Sequence, residues 1–496
     1  MSDEPLLVAI DVGTTGARAA TVDLAGRVVT EVRRTYRMSS PHPGWAEQDP
    51  RDWEHRAVEA LAGLVRRTRR PERIAAIGLT GQCPSVAPFD ARGRPAGPGL
   101  LYRDNRAVAE AERMRREIGV RTMHRRTGHT AGAFHVGPKV LWLRSHEPEV
   151  FAATRRFLQP RDVLLRRLTG RDATDETHAN ATLFFDLRAR AWAPDLFARF
   201  ELEPSLFPEA LAPQQLAGTL LPSAGRAVGL RRRVPVVTGA ADSQCVAFGA
   251  SVLDPGPASE MAGSSTCLNS AVRRPLADPR VTHYSHVVPG RYTTELGLNT
   301  TGAAVRWAVE RLGFESFAAL DRAVVGVRRR WGPEAAPLFL PYLGDGERDD
   351  PGIRAAFVGL SERHDRAAMA FAVLEGIALG IRSALRVLRD AGSPVDELRV
   401  AGGGGRLASL GQLKADVLGI PVLHLDADAA TIGAALLAGR AAGLEGDTGS
   451  AMAAVLGRAT RFEPSDRDGE IEAARAAWFD SVRQSDAVRM RPGSEA

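Results

Sequence analysis

A strand–turn–strand unit opens the chain and recurs, in weaker form, near its middle. Residues 6–18 read as an apolar strand, a Gly-Thr-Thr-Gly turn and the start of a second strand. The second copy covers residues 259–272, with Gly263, Ser264 and Ser265 at its turn. This recurrence predicts two related halves, each of which presents a hairpin turn to a shared cleft.

The length of the chain also favours two domains. Its 496 residues exceed what one typical hydrophobic core contains. The Pro- and Gly-rich stretch 254–257 is the best candidate for the boundary. We expect an N-terminal lobe of residues 1–250, a C-terminal lobe of residues 251–485 and a loose tail of residues 486–496.

Strand patterns alternate with helical patterns, which predicts an α/β fold. Short apolar runs indicate strands at 74–79, 234–238, 398–400 and 422–425. The longest helical pattern runs over 365–389, where Asp365 would cap the helix and Gly392 would stop it. A last helix is expected near 470–484.

The composition argues against membrane and secreted classes. We find no run of about 18 apolar residues, which a membrane-spanning helix needs. The acidic start of the chain, with Asp3 and Glu4, is unlike a signal peptide. We therefore expect a cytoplasmic protein with no membrane partner.

The net charge of +6 invites a nucleic-acid interpretation, which the pattern of the charges does not favour. Lys139 and Lys414 are the only lysines, so nearly all the positive charge comes from arginine. The short arginine runs are scattered and lack the interleaved aromatic residues of a stacking platform. We interpret the charge as a solvated surface and expect no nucleic-acid partner.

The three cysteines, Cys83, Cys245 and Cys267, are far apart and odd in number. This spacing predicts neither a disulfide framework nor a zinc site. Each lies within a few residues of a candidate site loop. Small buried residues are the simple interpretation; inhibition by thiol reagents is the alternative.

The common nucleotide-binding motifs are missing from the sequence. Neither lysine stands in a Walker A loop, and Arg406 and Leu407 follow the glycine run 402–405 where a dinucleotide fingerprint needs another glycine. Phosphate binding would then depend on the hairpin turns, whose backbone N–H groups can hold oxyanions. Hydroxyl donors in these turns are Thr14, Thr15, Ser264 and Thr266. Either turn alone could be an ordinary β-turn.

Two aspartates and one glycine run suggest chemistry. Asp11 ends the first strand, where a carboxylate can hold Mg²⁺ directly or through water, although capping of the turn is the alternative. Asp242 follows a β-branched run and could take a proton from an alcohol. The run 402–405 follows an apolar strand, so a flat adenine or ribose could lie against it, unless it is only a flexible loop. Together these features favour a small-molecule kinase.

An ordered series of segments resembles the FGGY carbohydrate kinases between about residues 6 and 440. One segment is weak evidence, but the ordered set is specific. The segments are 11–15, 43–50, 81–82, 103–106, 139–143, 168–170 with 174–175, 239–242, 263–266, Gly302 with Trp307, 346–348, 402–404 and 415–419.

The resemblance implies an actin-like ATPase fold of two ribonuclease-H-like lobes around a catalytic cleft, where a sugar and Mg²⁺·ATP meet. Asp242 matches the family's general base, which would contribute about 10²–10⁴-fold to the rate. Asp11 matches the position that serves Mg²⁺. The matching ATP-side residues are Thr14, Thr15, Arg18, Gly263, Ser264, Gly302, Gly403 and Gly404. The matching sugar-side residues are Gln82, Cys83, Arg103, Asp104, Asn105 and Asp242.

The stretch Pro-Gly-Trp-Ala-Glu-Gln-Asp-Pro at 43–50 looks most like the xylulokinase branch, which implies D-xylulose as substrate and D-xylulose 5-phosphate as product. That branch usually has Gly-Gln-Met-His-Gly where this chain has Gly-Gln-Cys-Pro-Ser at 81–85. Asp349 and Asp350 also replace its usual Thr-Pro. Another ketose, a polyol or a sugar acid of the gluconate, ribulose, erythritol or glycerol type is therefore open, although the Arg-Glu pair of glycerol kinases is missing.

Two other classes compete with the enzyme. One is an actin-like nucleotide-dependent switch, and the other is a sugar sensor with degraded chemistry. The switch would need neither Asp242 nor the sugar-side clusters at 81–85 and 103–106, and intact Asp11 and Asp242 argue against the sensor, which favours the enzyme. Lys139 is either a simple buried lysine or a position that prefers an ammonium. A homodimer is left open.

Overall fold

The computed structural model describes residues 4–327, 336–344, 346–347, 350, 352–465 and 469–489. The sequence segment 346–348 and the pair 349–350 therefore lie partly outside the described residues. Contacts divide the chain into two units. The first unit contains Met1–Leu253, Val272–Thr293 and Ala427–Gly457, and the second contains Asp254–Ala271, Thr294–Asp426 and Arg458–Ala496.

The first unit is built on one mixed sheet. Its strand order is Leu216–Thr219, Pro235–Ala241, Ile74–Gly81, Leu6–Val12, Gly16–Val22 and Val28–Thr35. The three strands nearest the middle of this order (the second, third and fourth) run parallel, and the others pair antiparallel with their neighbours. The strands predicted at 74–79 and 234–238 are confirmed in this sheet. Both appear in the sequence as continuous apolar runs because fully buried parallel strands are apolar on both faces.

Helices cover the first sheet, and one of them comes from far along the chain. Helix Ala429–Ala441 packs on strand Ile74–Gly81 and on helix Asp242–Gly249. Glycines make this approach possible, since a Cβ at Gly78 would lie 2.0 Å from the Ala434 carbonyl oxygen and one at Gly433 would lie 2.0 Å from that of Cys245. The other helices of this unit are Pro50–Arg67, Val108–Ile118, Val120–Thr127, Val136–His146, Pro148–Ala153, Pro160–Thr169, Glu176–Asn180, Pro194–Arg199, Pro222–Val228 and Glu445–Gly457.

Short strands complete the first unit: Glu47–Gln48, Ala87–Phe89, Gly99–Leu100, Arg156–Leu158, Ala173–Asp175, Phe185–Asp186, Ala191–Trp192 and Glu209–Leu211.

The second unit repeats the topology of the first. Its sheet contains, in order, Tyr292–Leu298, Thr266–Val272, Gly256–Ala262, Val395–Ala401, Val422–Leu425 and Thr460–Phe462, and the short strand Thr282–Ser285 adds a seventh strand beside Tyr292–Leu298. A leading hairpin is followed by two parallel strands and an antiparallel edge strand, as in the first unit. The predicted recurrence of the hairpin is thus confirmed, as are the strands at 398–400 and 422–425.

The longest helix of the second unit is Arg366–Asp390. Its predicted cap is confirmed, because the Asp365 side chain accepts a hydrogen bond from the Ala368 N–H at 2.9 Å. Gly392 follows with φ of +96°, a left-handed conformation that ends helices. The remaining helices here are Gly302–Arg311, Phe317–Val324, Ala408–Leu418 and Gly469–Gln484, with short strands at Leu338–Leu340 and Ala356–Val358.

Within the described part of the chain, Arg366–Asp390 is the one helix that is long and apolar enough to cross a membrane by length and composition alone. Its most apolar stretch is 83% buried inside the fold, which is typical of a core helix.

Candidate active site

The two predicted catalytic aspartates lie at the same edge of the first sheet. Val12 and Ala241 both pair with Gly81, one from each side. Asp11 therefore stands one residue before this row and Asp242 one residue after it. Since neighbouring strands are about 4.8 Å apart, the two flanking strands are separated by about 10 Å.

One oxygen of the Asp11 carboxylate lacks a hydrogen-bond partner in the part of the chain that the structure describes. Its Oδ1 atom is buried and has no hydrogen-bond partner among the described residues. Burial raises the pKa of the Asp11 carboxyl to about 6, the Asp428 carboxylate adds to this shift, and Arg18 and Arg33 oppose it. A desolvated carboxylate oxygen with no donor is chemically suited to a cation.

The donor set fits magnesium better than a metal held in an all-protein cage. Among the described residues, no group of three or more His, Cys, Asp or Glu side chains could hold a metal ion. Mg²⁺ in kinases is usually bound by one or two carboxylates together with substrate phosphates and water. The orphan oxygen of Asp11 matches that requirement.

The first hairpin turn is fixed by side chains from three other segments. The Gly13 carbonyl accepts hydrogen bonds from the Tyr36 hydroxyl and, at 3.3 Å, from Gln82 Nε2. The Thr14 carbonyl accepts one from Gln48 Nε2 at 2.6 Å. These bonds hold the turn through its carbonyl groups, and Thr15 is exposed.

Arg18 faces acidic residues of its own unit. Its guanidinium pairs with Asp428, donates to Thr431 Oγ1 at 2.5 Å and lies 3.0 Å from Glu31 Oε2. Asp428 also caps helix Ala429–Ala441 by accepting from the Thr431 N–H. The structure thus places a predicted phosphate ligand, Arg18, in a charge cluster with Asp11 and Asp428.

Asp242 begins helix Asp242–Gly249 directly after its strand. Its Oδ1 atom accepts from the Ser243 N–H at 2.8 Å, and the side chain is partly exposed. The strand bulges just before it, where Gly239 has φ of +77° and a Cβ would lie 1.7 Å from the Leu79 carbonyl oxygen. A glycine is therefore required at 239 to aim the following residues.

The sugar-side cluster at 103–106 contains a buried ion pair. Asp104 is fully buried and accepts from the Ala46 N–H at 2.7 Å and from Arg106 Nη2 at 2.8 Å. Arg106 also pairs with Glu47 at 2.7 Å, and its guanidinium lies 3.5 Å from the centre of the Trp45 ring. Asp104 thus joins segments 45–47 and 103–106.

Arg103 and Asn105 flank this ion pair and are exposed. Their neighbours Asp104 and Arg106 point inward, so the segment presents two polar side chains to solvent from a rigid base. Gln82 differs from them because it is 1% exposed and its amide is used by Gly13, Gln48 and Ser85.

Lys139 connects three segments around Cys83. Its ammonium donates to the carbonyl oxygens of Leu101 and Phe134 at 2.5 and 2.7 Å and to that of Pro84 at 3.4 Å. The side chain is fully buried, and burial lowers the pKa of Lys139 to about 7 while Asp104 opposes that shift. Three carbonyl acceptors match the three N–H groups of an ammonium.

The cysteines occupy unlike environments. Cys83 is partly exposed, whereas Cys245 and Cys267 are buried, and all three are free thiols. Burial raises the pKa of the Cys245 thiol to about 12, which keeps it protonated and unreactive.

In the second unit, the second hairpin turn packs on the start of helix Gly302–Arg311. The Ser264 carbonyl accepts from the N–H groups of Thr301 and Ala303 at 3.1 and 3.0 Å. A Cβ at Gly302 would lie 2.2 Å from the Gly263 carbonyl oxygen, so only glycine fits. The structure thus brings together three predicted ATP-binding residues: Gly263, Ser264 and Gly302.

The glycine run begins where strand Val395–Ala401 ends beside the same hairpin. Gly402 has φ of +108°, and a Cβ there would lie 2.6 Å from the Ala262 carbonyl oxygen. A Cβ at Gly403 would meet no atom within 4 Å, so open space adjoins this residue. Gly403 and Gly404 belong to the short 3₁₀ helix Gly403–Arg406.

Lys414, the other lysine, forms a buried ion pair with Glu260 in the first strand of the second hairpin. Its ammonium lies 2.7 Å from both carboxylate oxygens of Glu260, and both side chains are buried. The pair ties helix Ala408–Leu418 to the first strand of the hairpin.

Some residues near the predicted site were missed by sequence reasoning. Asp428 carries only the signal of a helix cap, Asp with Thr431 three residues later, and nothing local indicates that it lies near Asp11. Arg106 and Glu47 stand inside recognised segments, but only the structure reveals that they pair. Thr177, whose Oγ1 atom accepts a hydrogen bond from the Ala241 N–H at 2.8 Å, had no signal at all.

The family models match most of the chain. The N-terminal domain of the FGGY family of carbohydrate kinases matches residues 6–249, and the C-terminal domain matches residues 258–442. The chain belongs to the FGGY family of carbohydrate kinases. It is therefore a carbohydrate kinase, and FGGY kinases use ATP as co-substrate.

Characterised relatives and solved structures agree on the class of enzyme. The xylulose kinase of Escherichia coli (strain K12) is 29% identical over 420 residues, which cover 84% of this chain and 85% of that protein. The glycerol kinase of Alkalilimnicola ehrlichii is 30% identical over 501 residues, covering 97% and 98%. The crystal structure of xylulose kinase from Rhodospirillum rubrum has a TM-score of 0.87 at 30% identity and covers 96% of this chain and 98% of that chain.

These likenesses confirm the predicted fold class, an α/β fold of the actin-like ATPase type. The relatives act on different polyhydroxy substrates, so the family assignment alone does not choose among acceptors.

Proposed function

We propose that this FGGY kinase transfers the γ-phosphoryl group of ATP to a hydroxyl of D-xylulose and forms D-xylulose 5-phosphate. The similarity to the xylulose kinases of E. coli and R. rubrum supports this choice. So does the stretch at 43–50, whose Trp45 and Glu47 hold Arg106 in place. We further propose that the reaction takes place in the cytoplasm, where ATP is available.

Asp242 acts as the general base. Its partly exposed carboxylate takes the proton from the acceptor hydroxyl as that oxygen attacks the γ-phosphorus, and ADP leaves with the bridging oxygen. The observation that carries this role is its position at the end of a bulged strand, at the same sheet edge as Asp11. Positioning and charge neutralisation supply most of the rate acceleration, as in other phosphoryl transfers.

Asp11 holds Mg²⁺, directly or through water, by its unpartnered Oδ1 atom. When bound, the ion would neutralise charge on the phosphate oxygens. Thr14 and Thr15 offer hydroxyl and N–H donors to the phosphates from the turn that follows Asp11. Arg18 adds positive charge beside this turn, although Asp428 and Glu31 already compensate part of it.

The second unit binds the nucleotide through its own hairpin turn and glycine run. Gly263 and Ser264 offer N–H and hydroxyl donors to phosphate, and Gly302 lets the turn approach helix Gly302–Arg311. The open space beside Gly403 suits the flat face of the nucleoside. Gly404, the next residue of the run, is proposed to belong to the same nucleoside site.

Sugar recognition uses the segments that Lys139 holds together. Cys83 is partly exposed beside Pro84, and Arg103 and Asn105 are exposed on the segment anchored by Asp104. Gln82 supports this side from within by its bonds to the first turn. The thiol and the proline offer fewer hydrogen bonds than a Met-His pair, so acceptor orientation depends more on Arg103, Asn105 and Asp242.

A second candidate acceptor follows from the 30% identity to a glycerol kinase over 97% of the chain. A smaller polyol, another ketose or a sugar acid such as gluconate would use the same base and the same nucleotide site. A non-catalytic ATP-binding sensor is disfavoured because Asp11 and Asp242 both stand at one sheet edge.

The test is ADP release with Mg²⁺·ATP across D-xylulose, other ketopentoses, pentitols, tetritols, glycerol and sugar acids, with a no-acceptor control. We expect D-xylulose to give the largest kcat/KM. A larger value for another acceptor would keep the kinase and replace its substrate. No stimulation by any acceptor, with ATP binding shown separately, would favour the sensor. Sedimentation of the same preparation would show whether the kinase is a homodimer.

A further inference from the structure

A buried polar network borders strand Pro235–Ala241, which leads directly to Asp242. Its members are completely or almost completely buried, and the general roles assigned above use none of them. They are Arg161, Asp162, Asp175, Thr177 and His178. Burying so many polar groups is costly unless they are paired and serve a purpose.

The network holds strand Pro235–Ala241 at two points. Arg161 donates to the carbonyl oxygen of Thr238, just before the bulge at Gly239. Thr177 Oγ1 accepts from the Ala241 N–H at 2.8 Å, which belongs to the residue directly before Asp242. Between them, Thr80 Oγ1 donates to the Ala240 carbonyl oxygen at 2.9 Å. Side chains thus fix the bulged end of the strand, where the regular ladder shifts register.

Asp175 determines the direction of the Thr177 hydroxyl. Burial would raise the pKa of the Asp175 carboxyl, but His178 and Arg161, together with hydrogen bonds from His178 and Thr177, hold that pKa at about 2. An ionised carboxylate only accepts hydrogen bonds, so the Thr177 hydroxyl must donate its proton to Asp175. Its lone pair is then left for the Ala241 N–H.

We propose that Thr177, oriented by Asp175, is a positioning residue that sets the direction in which Asp242 leaves its strand. This inference rests on the proposed role of Asp242 as the base. The Ala241 N–H belongs to the peptide unit directly before the one that joins Ala241 to Asp242. A shift of this N–H therefore changes the Ala241 backbone torsions, which set the direction in which the Asp242 carboxylate projects. Thr177 does not touch the substrate in this account and acts only through Asp242.

The test compares Thr177→Ala with Thr177→Ser, which lose the same methyl group and differ by one hydroxyl oxygen. We expect Thr177→Ala to lower kcat by about tenfold or more, since small misplacements of catalytic groups have effects of that order. Thr177→Ser should retain most of the wild-type kcat, and KM for ATP should be unchanged in both. Thr127→Val is the matched control, because Thr127 is also fully buried but bonds to Met123 O in its own helix.

The assay compares four proteins below their melting temperatures: wild type, Thr177→Ala, Thr177→Ser and Thr127→Val. Asp242→Asn is the reference for a protein that lacks the base. Equal kcat for folded Thr177→Ala and Thr177→Ser would overturn the positioning role while leaving the base assignment intact if Asp242→Asn is inactive. An active Asp242→Asn would overturn both. If Thr177→Ala does not fold, Thr177→Val, which fills the same space, takes its place against wild type.

Discussion

Asp11 and Asp242 emerge at one edge of a single sheet, on the two strands that flank Ile74–Gly81. They are far apart in sequence. Because a sequence neighbour of each pairs with Gly81, both lie at the same end of the sheet. Their environments differ, since Asp11 carries a buried unpartnered oxygen whereas Asp242 is partly exposed and accepts from the Ser243 N–H. This difference fits the separate roles that we propose for them, Asp11 as a metal ligand and Asp242 as the base.

Asp11 should lower the stability of the protein progressively as the pH rises from 3.8 to about 6. Its pKa is raised to about 6 in the folded state from 3.8, so between these values the unfolded chain releases a proton that the folded protein keeps, and stability falls as pH rises. Asp11→Asn should therefore be more stable by about 1–3 kcal/mol at pH 7.5 and lose activity. Thermal melts of both proteins from pH 3.5 to 8 check the sign, and a constant difference across this range would contradict it.

Lys139 should affect the sugar more than the nucleotide. Lys139→Met removes the donors to Pro84, Leu101 and Phe134, which leaves buried carbonyl groups unpaired and costs about 1–3 kcal/mol of stability. We expect KM for the sugar to rise while KM for ATP stays the same. Steady-state kinetics with each substrate varied in turn measure both, and an equal rise in the two KM values would contradict a sugar-side role.

Two glycines of the second unit should respond differently to alanine. Gly302→Ala places a Cβ against the Gly263 carbonyl oxygen and should lower both stability and ATP affinity. Gly403→Ala meets no atom within 4 Å, so it should lower ATP affinity without lowering the melting temperature. Gly449→Ala, in open space in another helix, is the control. Unchanged ATP binding by Gly403→Ala would argue against the nucleoside site.

The buried Lys414–Glu260 pair should matter most when one partner is removed. Glu260→Gln leaves a buried ammonium without its counter-ion and should cost about 3–5 kcal/mol. The double variant Glu260→Gln/Lys414→Met should recover much of that loss. Denaturant unfolding of wild type, the single variants Glu260→Gln and Lys414→Met and the double variant measures the coupling, and additive losses in the double variant would contradict the pairing.

Local patterns predicted the local structure well. The hairpins at both turns, the strand Val422–Leu425 and the Asp365 cap follow from short-range rules of alternation, glycine turns and capping. These features depend on neighbours in sequence, so they could be read without the fold.

Long-range features could not be predicted in this way. Arg18 and Asp428 pair across 410 residues, because helix Ala429–Ala441 returns to the sheet of the first unit. The close approach depends on Gly78, Gly249 and Gly433, which look like ordinary helix and strand glycines in the sequence. The hydrogen bond from the Ala241 N–H to Thr177 Oγ1 likewise joins residues that are 64 positions apart in the sequence.

The family resemblance supplied the roles of the site residues, and the structure gives physical detail to several of them. Asp104 forms a buried ion pair with Arg106, Gln82 is buried against the first turn, and Arg103 and Asn105 are exposed. Motif matching gives all four residues one label. Their different burial separates residues that can reach a sugar from residues that hold the segment in place.

Asp242 is proposed to take the proton from the acceptor hydroxyl. The most direct measurement is the single-turnover rate of phosphoryl transfer by Asp242→Asn, with ATP and sugar binding measured by calorimetry on the same protein. If Asp242 is the base, the transfer rate should fall by about 10²-fold or more with both substrates still bound. A transfer rate close to that of the wild type would contradict it.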